Sequence, residues 1–118
     1  MAAKDTLGRR GEDLAAVYFG DRGYRLIARN WRCSQGEIDL IAERDGALVF
    51  VEVKTRSSTA FGHPFEAITA EKMARLRRLA AAWCAQNGAA APRVRIDAVA
   101  VIVPGVGDPR LEHLVGVS

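Results

Sequence analysis

A mixed α/β fold, one sheet flanked by helices in the order α-β-β-β-α-β, is predicted by three features of this sequence. Helix-period stretches at 5–22 and 69–87 bracket the middle of the chain. Between them lie three strand-like runs, the last two joined by Asp45-Gly46, a strong two-residue hairpin signal. A further β-branched run, Arg95 to Val103, completes a strand, helix, strand crossover, which makes the third and fourth strands parallel.

Taken in order, Leu7, Gly11, Leu14, Ala15 and Tyr18 recur on one face of helix one, and Gly23 stands where a terminating glycine belongs. Tyr24 to Trp31, Glu37 to Arg44 and Ala47 to Lys54 read as strands. The run Leu48-Val49-Phe50-Val51 is apolar on both faces, as a central strand requires. Ser57 to Pro64 reads as a loop. Met73, Leu76, Ala80 and Trp83 form the buried stripe of helix two, from Thr69 to Asn87 with Gly88 as its stop. Pro92 and Pro104 flank the fourth strand, and a loop from Pro104 to Pro109 precedes a short last strand at Leu111 to Val115.

The 118 residues fit a single domain, 1–118, and a chain this long buries about two-thirds of its unfolded surface. With 49% hydrophobic and 26% charged residues it has the composition of a soluble globular protein. No apolar run approaches the roughly 20 residues that span a bilayer. Met1 to Arg10 is polar with no apolar segment behind it, so a cytoplasmic protein with no membrane contact is expected. Cys33 and Cys84 share no zinc spacing with His63 or His113; they read as reduced thiols, and the histidines as ordinary polar residues in or near loops. A Walker loop is absent and Gly105-x-Gly107 opens no helix, so no organic cofactor is implied.

Charge at the end of a buried strand needs a reason, and Glu52 and Lys54 supply that charge. If Asp45 and Gly46 form the turn, Arg44 faces Ala47, and counting outward sets Asp39 opposite Glu52 and Glu37 opposite Lys54, all on one face. Opposed carboxylates about 5 Å apart repel by roughly 3 kcal/mol at an effective dielectric near 20. A divalent cation removes that cost, and oxygen-only ligands suit Mg²⁺ or Mn²⁺ with room left for water and phosphate. Lys54 would orient or deprotonate the attacking water and balance charge on the phosphate. Asp39, Glu52 and Lys54 are thus candidate catalytic residues for phosphodiester hydrolysis, with Asp39 and Glu52 also metal ligands. Glu12, beside Gly11 and Ala15 on the edge of the packing face, reads either as a solvated helix residue or as one that turns toward the sheet and completes the oxygen shell.

An Asp followed, one hairpin later, by Glu-x-Lys resembles the PD-(D/E)XK nuclease superfamily; here it reads Asp39, then Glu52-Val53-Lys54. The fuller text resembles the YraN-like family of endonuclease-like bacterial proteins. The likeness is carried by Gly8-Arg9-Arg10-Gly11-Glu12, Gly36-Glu37-Ile38-Asp39-Leu40-Ile41, Phe50-Val51-Glu52-Val53-Lys54-Thr55-Arg56 and Phe61-Gly62. It implies a restriction-endonuclease-like core, Asp39 and Glu52 as metal ligands, the Val53 carbonyl as a further ligand, and Lys54 near the nucleophilic water. Glu12 is similar in position to a helix-one glutamate of archaeal Holliday-junction resolvases. Ile38 stands where the superfamily name has Pro, which leaves the subfamily and substrate open.

The net charge of +3 permits nucleic acid as partner without requiring it. Arg9, Arg10 and Arg56 lie close in sequence to the site residues, and Lys72, Arg75, Arg77 and Arg78 make helix two basic. Set beside a phosphate-directed site, Arg9, Arg10, Arg56, Lys72, Arg75 and Arg78 are candidate backbone contacts, with binding that weakens with salt. The expected function is a Mg²⁺-dependent endonuclease or resolvase-like enzyme on structured DNA, assisted by a homodimer or a DNA-processing partner. Its rivals are a non-catalytic nucleic-acid-binding accessory module and a glycosidase using Asp39 and Glu52, the latter disfavoured by Lys54 and by the lack of an aromatic sugar platform. Asp97 reads as a structural partner of Arg95 in preference to a residue that enters the same cleft, and Glu37 as a positioning or ion-pair partner of Lys54.

Overall fold

A computed structural model describes residues 3–60, 62–88 and 93–117; Met1, Phe61 and Pro92, all used above, lie outside them. The elements run α1 (Ala3–Asp21), β1 (Arg25–Cys33), β2 (Gly36–Arg44), β3 (Ala47–Arg56), a 3₁₀ turn (Pro64–Ala67), α2 (Ala70–Asn87), β4 (Arg93–Ile102) and β5 (Arg110–Leu114). The five strands form one sheet in sequence order, antiparallel except for the parallel β3–β4 pair. This is the predicted α/β order with the last strand present. The Asp45-Gly46 turn has φ of 52° and 77°, the positive values a type I′ hairpin needs, and Arg44 faces Ala47 as expected.

Each sheet face carries its own core. Val49, Val51 and Val53 of β3 join Ala15 and Phe19 of α1, while Leu48 and Phe50 join Met73, Leu76, Leu79 and Trp83 of α2. Thr69 caps α2, its hydroxyl accepting from the Lys72 N–H, and Gly88 ends it at φ 59°. The loop that begins at Ser57 ends in the 3₁₀ turn, where His63 and Glu66 form a reciprocal capping box.

Helix α1 lies close on β3 because Gly11 has no side chain: a Cβ there would overlap the Thr55 side chain. This contact fixes where Glu12, the next residue, meets the sheet. Gly11→Ala should lower the melting temperature. The overlap costs about 1–3 kcal/mol and outweighs the roughly 1 kcal/mol by which Ala is the better helix former. Adding Thr55→Ala should restore part of the loss, and an unchanged melting curve for Gly11→Ala would contradict the packing.

Strict alternation fails at two places: β1 carries a bulge between Leu26 and Ala28, so that Ile27 and Ala28 both pack on the α2 side, and a second break lies at Asn30 and Asp39. The β2–β3 ladder runs from Arg44↔Ala47 to Leu40↔Val51 and goes no further. Ile38 and Ile41, three residues apart, both pack on the α2 side, whereas Leu40 packs on the α1 side. Their partners across the β1–β2 ladder, Trp31 and Ala28, behave alike, and Asn30 between them has φ 52°. The two strands therefore change facing together at Asn30 and Asp39. An outward count that assumes unbroken pleating, and so puts Glu37, Asp39, Glu52 and Lys54 on one face, does not hold beyond Leu40.

Candidate metal and phosphate site

Asp39, Glu52 and Lys54 are brought together. The Lys54 ammonium lies 3.2 Å from Glu52 Oε1, with side chains 23% and 17% exposed. Asp39, 9% exposed, accepts a 2.7 Å hydrogen bond from the Val53 N–H, so its carboxylate takes the place of a strand partner where the ladder stops. Burial, then the neighbouring Glu52, push the Asp39 carboxyl up to about 7, against the pull of the Val53 N–H; Glu12 and Glu37 push it further the same way.

Glu12 reaches this neighbourhood from α1. Burial raises its carboxyl above the ordinary range, while the nearby Asn30 side chain and the charge of Arg29 draw it back. Arg29 lies 4.0 Å from Glu12 and 2.7 Å from Asp13. Glu12, Val53, Lys54, Thr55 and Arg56 line a common cleft, and Gly8, just before Arg9 and Arg10, borders it.

Glu37 is not the partner of Lys54. It faces Arg32 across the β1–β2 ladder and pairs with it, because Lys54 turns back along its own strand to Glu52. His113 is corrected too. Far from being an ordinary polar residue in or near a loop, it sits on β5 with its side chain 8% exposed, bonded to Asp97 and Tyr18. Asp97 is the structural partner of Arg95, held by two bonds of 2.8 and 2.9 Å. His63 bonds Glu112 as well as capping the 3₁₀ turn. Asn30 and Arg29 escaped the sequence reading; the one signal was an Asn inside a strand, a residue poor at pleating and tolerant of positive φ.

The basic residues form a rim of uneven closeness. Arg56 is exposed at the end of β3 and lines the cleft, its guanidinium on the Thr55 carbonyl at 2.9 Å. Arg75 lays its aliphatic chain by Gly36 at the start of β2, the same end of the sheet. Arg9, Arg10 and Arg78 are exposed on their helices, and Lys72 is half-buried in the first turn of α2.

Among the described residues no three His, Cys, Asp or Glu side chains converge as a ready-made metal cage. The donor chemistry nevertheless fits a hard divalent cation. Asp39 and Glu52 offer oxygens, they lie close enough for the charge of Glu52 to raise Asp39, and burial leaves little water to relieve them.

A family profile matches residues 11–101, a span that includes Glu12, Asn30, Asp39, Glu52, Lys54 and all of α2. The chain belongs to the uncharacterised protein family UPF0102. A UPF0102 protein of Arthrobacter sp. (strain FB24) is 57% identical over 118 residues, covering the whole of both chains. One from Paenarthrobacter aurescens (strain TC1) is 56% identical over 117 residues, 99% of this chain and 97% of that one. A third, from Frankia casuarinae, is 48% identical over 116 residues, 98% of each. The family match accords with the YraN-like resemblance carried by the motif stretches. No helix among the described residues is long and apolar enough to cross a membrane.

Proposed function

We propose that this protein is a cytoplasmic, Mg²⁺- or Mn²⁺-dependent nuclease of the PD-(D/E)XK type, hydrolysing phosphodiester bonds of structured DNA. The observation that carries the reading is the buried Asp39 carboxyl, held up to about 7 by burial and by Glu52, with Lys54 on the other side of Glu52 at 3.2 Å. A fold with no use for this arrangement would do better with neutral residues, and perturbed carboxyls in a cleft mark functional sites. Asp39, Glu52, the Val53 carbonyl and Glu12 would hold the cation, which when bound supplies Lewis-acid polarisation of a phosphoryl oxygen.

The chain's own groups account for the rest. The Asp39 bond to the Val53 N–H fixes the β2–β3 junction, so the two acidic side chains keep their spacing without substrate. Lys54 donates to the attacking water and offsets charge growing on the phosphate in the transition state. Arg56 and Arg75 sit at the same sheet end to grip flanking phosphates, with Arg9, Arg10, Lys72 and Arg78 extending the track. One site cuts one strand, so a duplex would need a second copy or a DNA-processing partner.

The accessory-module reading draws on a different observation: Lys54 neutralises Glu52, and no cage of three ligands stands ready among the described residues. One experiment separates the two. Wild type and the Glu52→Ala, Lys54→Ala double variant are incubated with duplex, single-stranded and four-way-junction DNA in Mg²⁺, Mn²⁺ or EDTA. Metal-dependent cleavage by wild type alone is expected. Equal, salt-sensitive binding by both proteins without cleavage would instead favour the module.

A further inference from the structure

We infer that the main-chain N–H of Thr55, with the Arg56 guanidinium beside it, is the donor pair that receives a phosphate oxygen of bound DNA; the inference rests on the nuclease reading above. The sheet is forked where the acidic residues lie. Pairing between β2 and β3 stops at Leu40↔Val51, while β1 and β2 stay paired to Cys33↔Gly36, and β3 and β4 to Arg56↔Ile102. The last residues of β3 therefore keep β4 on one edge and, among the described residues, have no strand paired on the other.

Two hydrogen bonds settle which main-chain groups line that open edge. Along a strand the N–H and C=O of one residue point to the same side, and those of the next residue to the opposite side. The Arg56 carbonyl accepts from the Val103 N–H at 2.8 Å, so Arg56, and with it Lys54, turns its main chain toward β4. The Val53 N–H goes instead to Asp39 on β2 at 2.7 Å, so Val53 and Thr55 turn theirs into the fork. In order along this edge stand the Val53 N–H, taken by Asp39, the Val53 carbonyl, the Thr55 N–H, and the Thr55 carbonyl, which accepts from the Arg56 guanidinium at 2.9 Å. All three residues line the cleft that also holds Glu12 and Lys54.

The ladder thus ends with a main-chain donor aimed into the cleft, a group that needs an acceptor when it leaves water. Its neighbours select an anion. The acidic side chains lie on the Val53 side of Thr55, where the proposed cation would sit, and the exposed Arg56 guanidinium lies on the other side. An oxyanion between them gains charge-assisted bonds from both the N–H and the guanidinium. A peptide strand added to the same edge would bring only neutral carbonyls. Because the main chain supplies the donor, the contact grips any phosphodiester and reads no base.

Amide NMR on the full chain with four-way-junction DNA tests this, in Ca²⁺, a divalent cation that also takes oxygen ligands. The Thr55 amide proton should exchange freely without DNA, then move downfield and become protected when DNA is added. The Val53 amide, already bonded to Asp39, should be protected throughout. A chain carrying an ester in place of the Thr55 main-chain amide keeps the side chain and lacks the N–H. It should bind the junction about 10-fold more weakly or worse, the scale of one hydrogen bond to a charged group. The NMR arm needs no variant, so it decides the matter even where the ester chain does not fold. A Thr55 amide already protected without DNA would mean that the edge is closed. A Thr55 resonance that stays fixed while others move would put the phosphate elsewhere. Either result overturns the inference and leaves the nuclease reading standing, whereas no change at any amide would overturn both.

Discussion

Asp39→Asn is expected to do two opposite things: abolish metal-dependent cleavage and make the protein more stable above pH 7. The loss of activity should exceed about 100-fold, the upper scale for removing an outer-shell partner alone, since Asp39 is proposed to touch the cation directly. The gain in stability follows from burial. Asparagine still offers an oxygen to the Val53 N–H, but it carries no charge to desolvate or to set against Glu52.

The sign can be worked through. In the unfolded chain an aspartate titrates near 4; in the fold Asp39 is raised to about 7. Between those values the folded protein holds a proton that the unfolded chain has released. Wild-type stability therefore falls as pH rises from about 4 to about 7, and above that it carries the full cost, on the order of 2–4 kcal/mol. Thermal melts at several pH values should show Asp39→Asn well above wild type at pH 8 and converging with it toward pH 4. Mg²⁺ should raise the wild-type melting temperature at pH 8, because a ligand at 100 times its dissociation constant adds about 2.7 kcal/mol, and should do little for the variant. Parallel curves for the two proteins across pH would mean that Asp39 is not under the strain its surroundings imply.

The elements of this fold were legible because local signals agree with tertiary need. Asp45-Gly46 fixed the hairpin register, Gly88 ended α2, and the doubly apolar Leu48 to Val51 run marked β3 as central between two cores. The site was legible only as far as pairing stays regular. Glu52 and Lys54 share a face as period-two counting along β3 expects, but Asp39 joins them through the Val53 N–H and not as the ladder partner of Glu52, the facing of Glu37 departs from the count at the change of pleat, and the place of Glu12 depends on the close approach of Gly11 to Thr55. A single positive φ inside a strand has no sequence marker beyond the tolerance of Asn for it. His113 eluded reading for another reason: its partners lie 16 and 95 residues away, and no local spacing encodes a contact made by tertiary folding.

That same long-range network sets the largest stability effect. Asp97 is fully buried and accepts four hydrogen bonds: two from Arg95, one from the Gly116 N–H at 2.9 Å and one from His113 at 2.7 Å. A carboxylate only accepts, so His113 Nε2 carries a proton, and in the neutral ring Nδ1 takes the Tyr18 hydroxyl at 3.0 Å. Arg95 also donates to Tyr24 at 2.8 Å. Through Asp97 the short edge strand β5 is tied to β4 and α1. Burial alone would raise the Asp97 carboxyl, but the bonds from His113, Arg95 and Gly116 bring it below its ordinary value. Asp97→Ala leaves those donors facing an emptied, buried position and should cost about 3 kcal/mol or more, as for removing one partner of a buried pair. Because the folded carboxyl is depressed, its stabilisation is complete above the ordinary aspartate value near 4 and is lost as pH falls through the folded value. Urea unfolding at pH 7 should show the deficit, and it should shrink in acid as wild type loses what the variant never had. A difference below about 1 kcal/mol at pH 7, the scale of an exposed ion pair, would mean that β5 is held by its strand hydrogen bonds and not by Asp97.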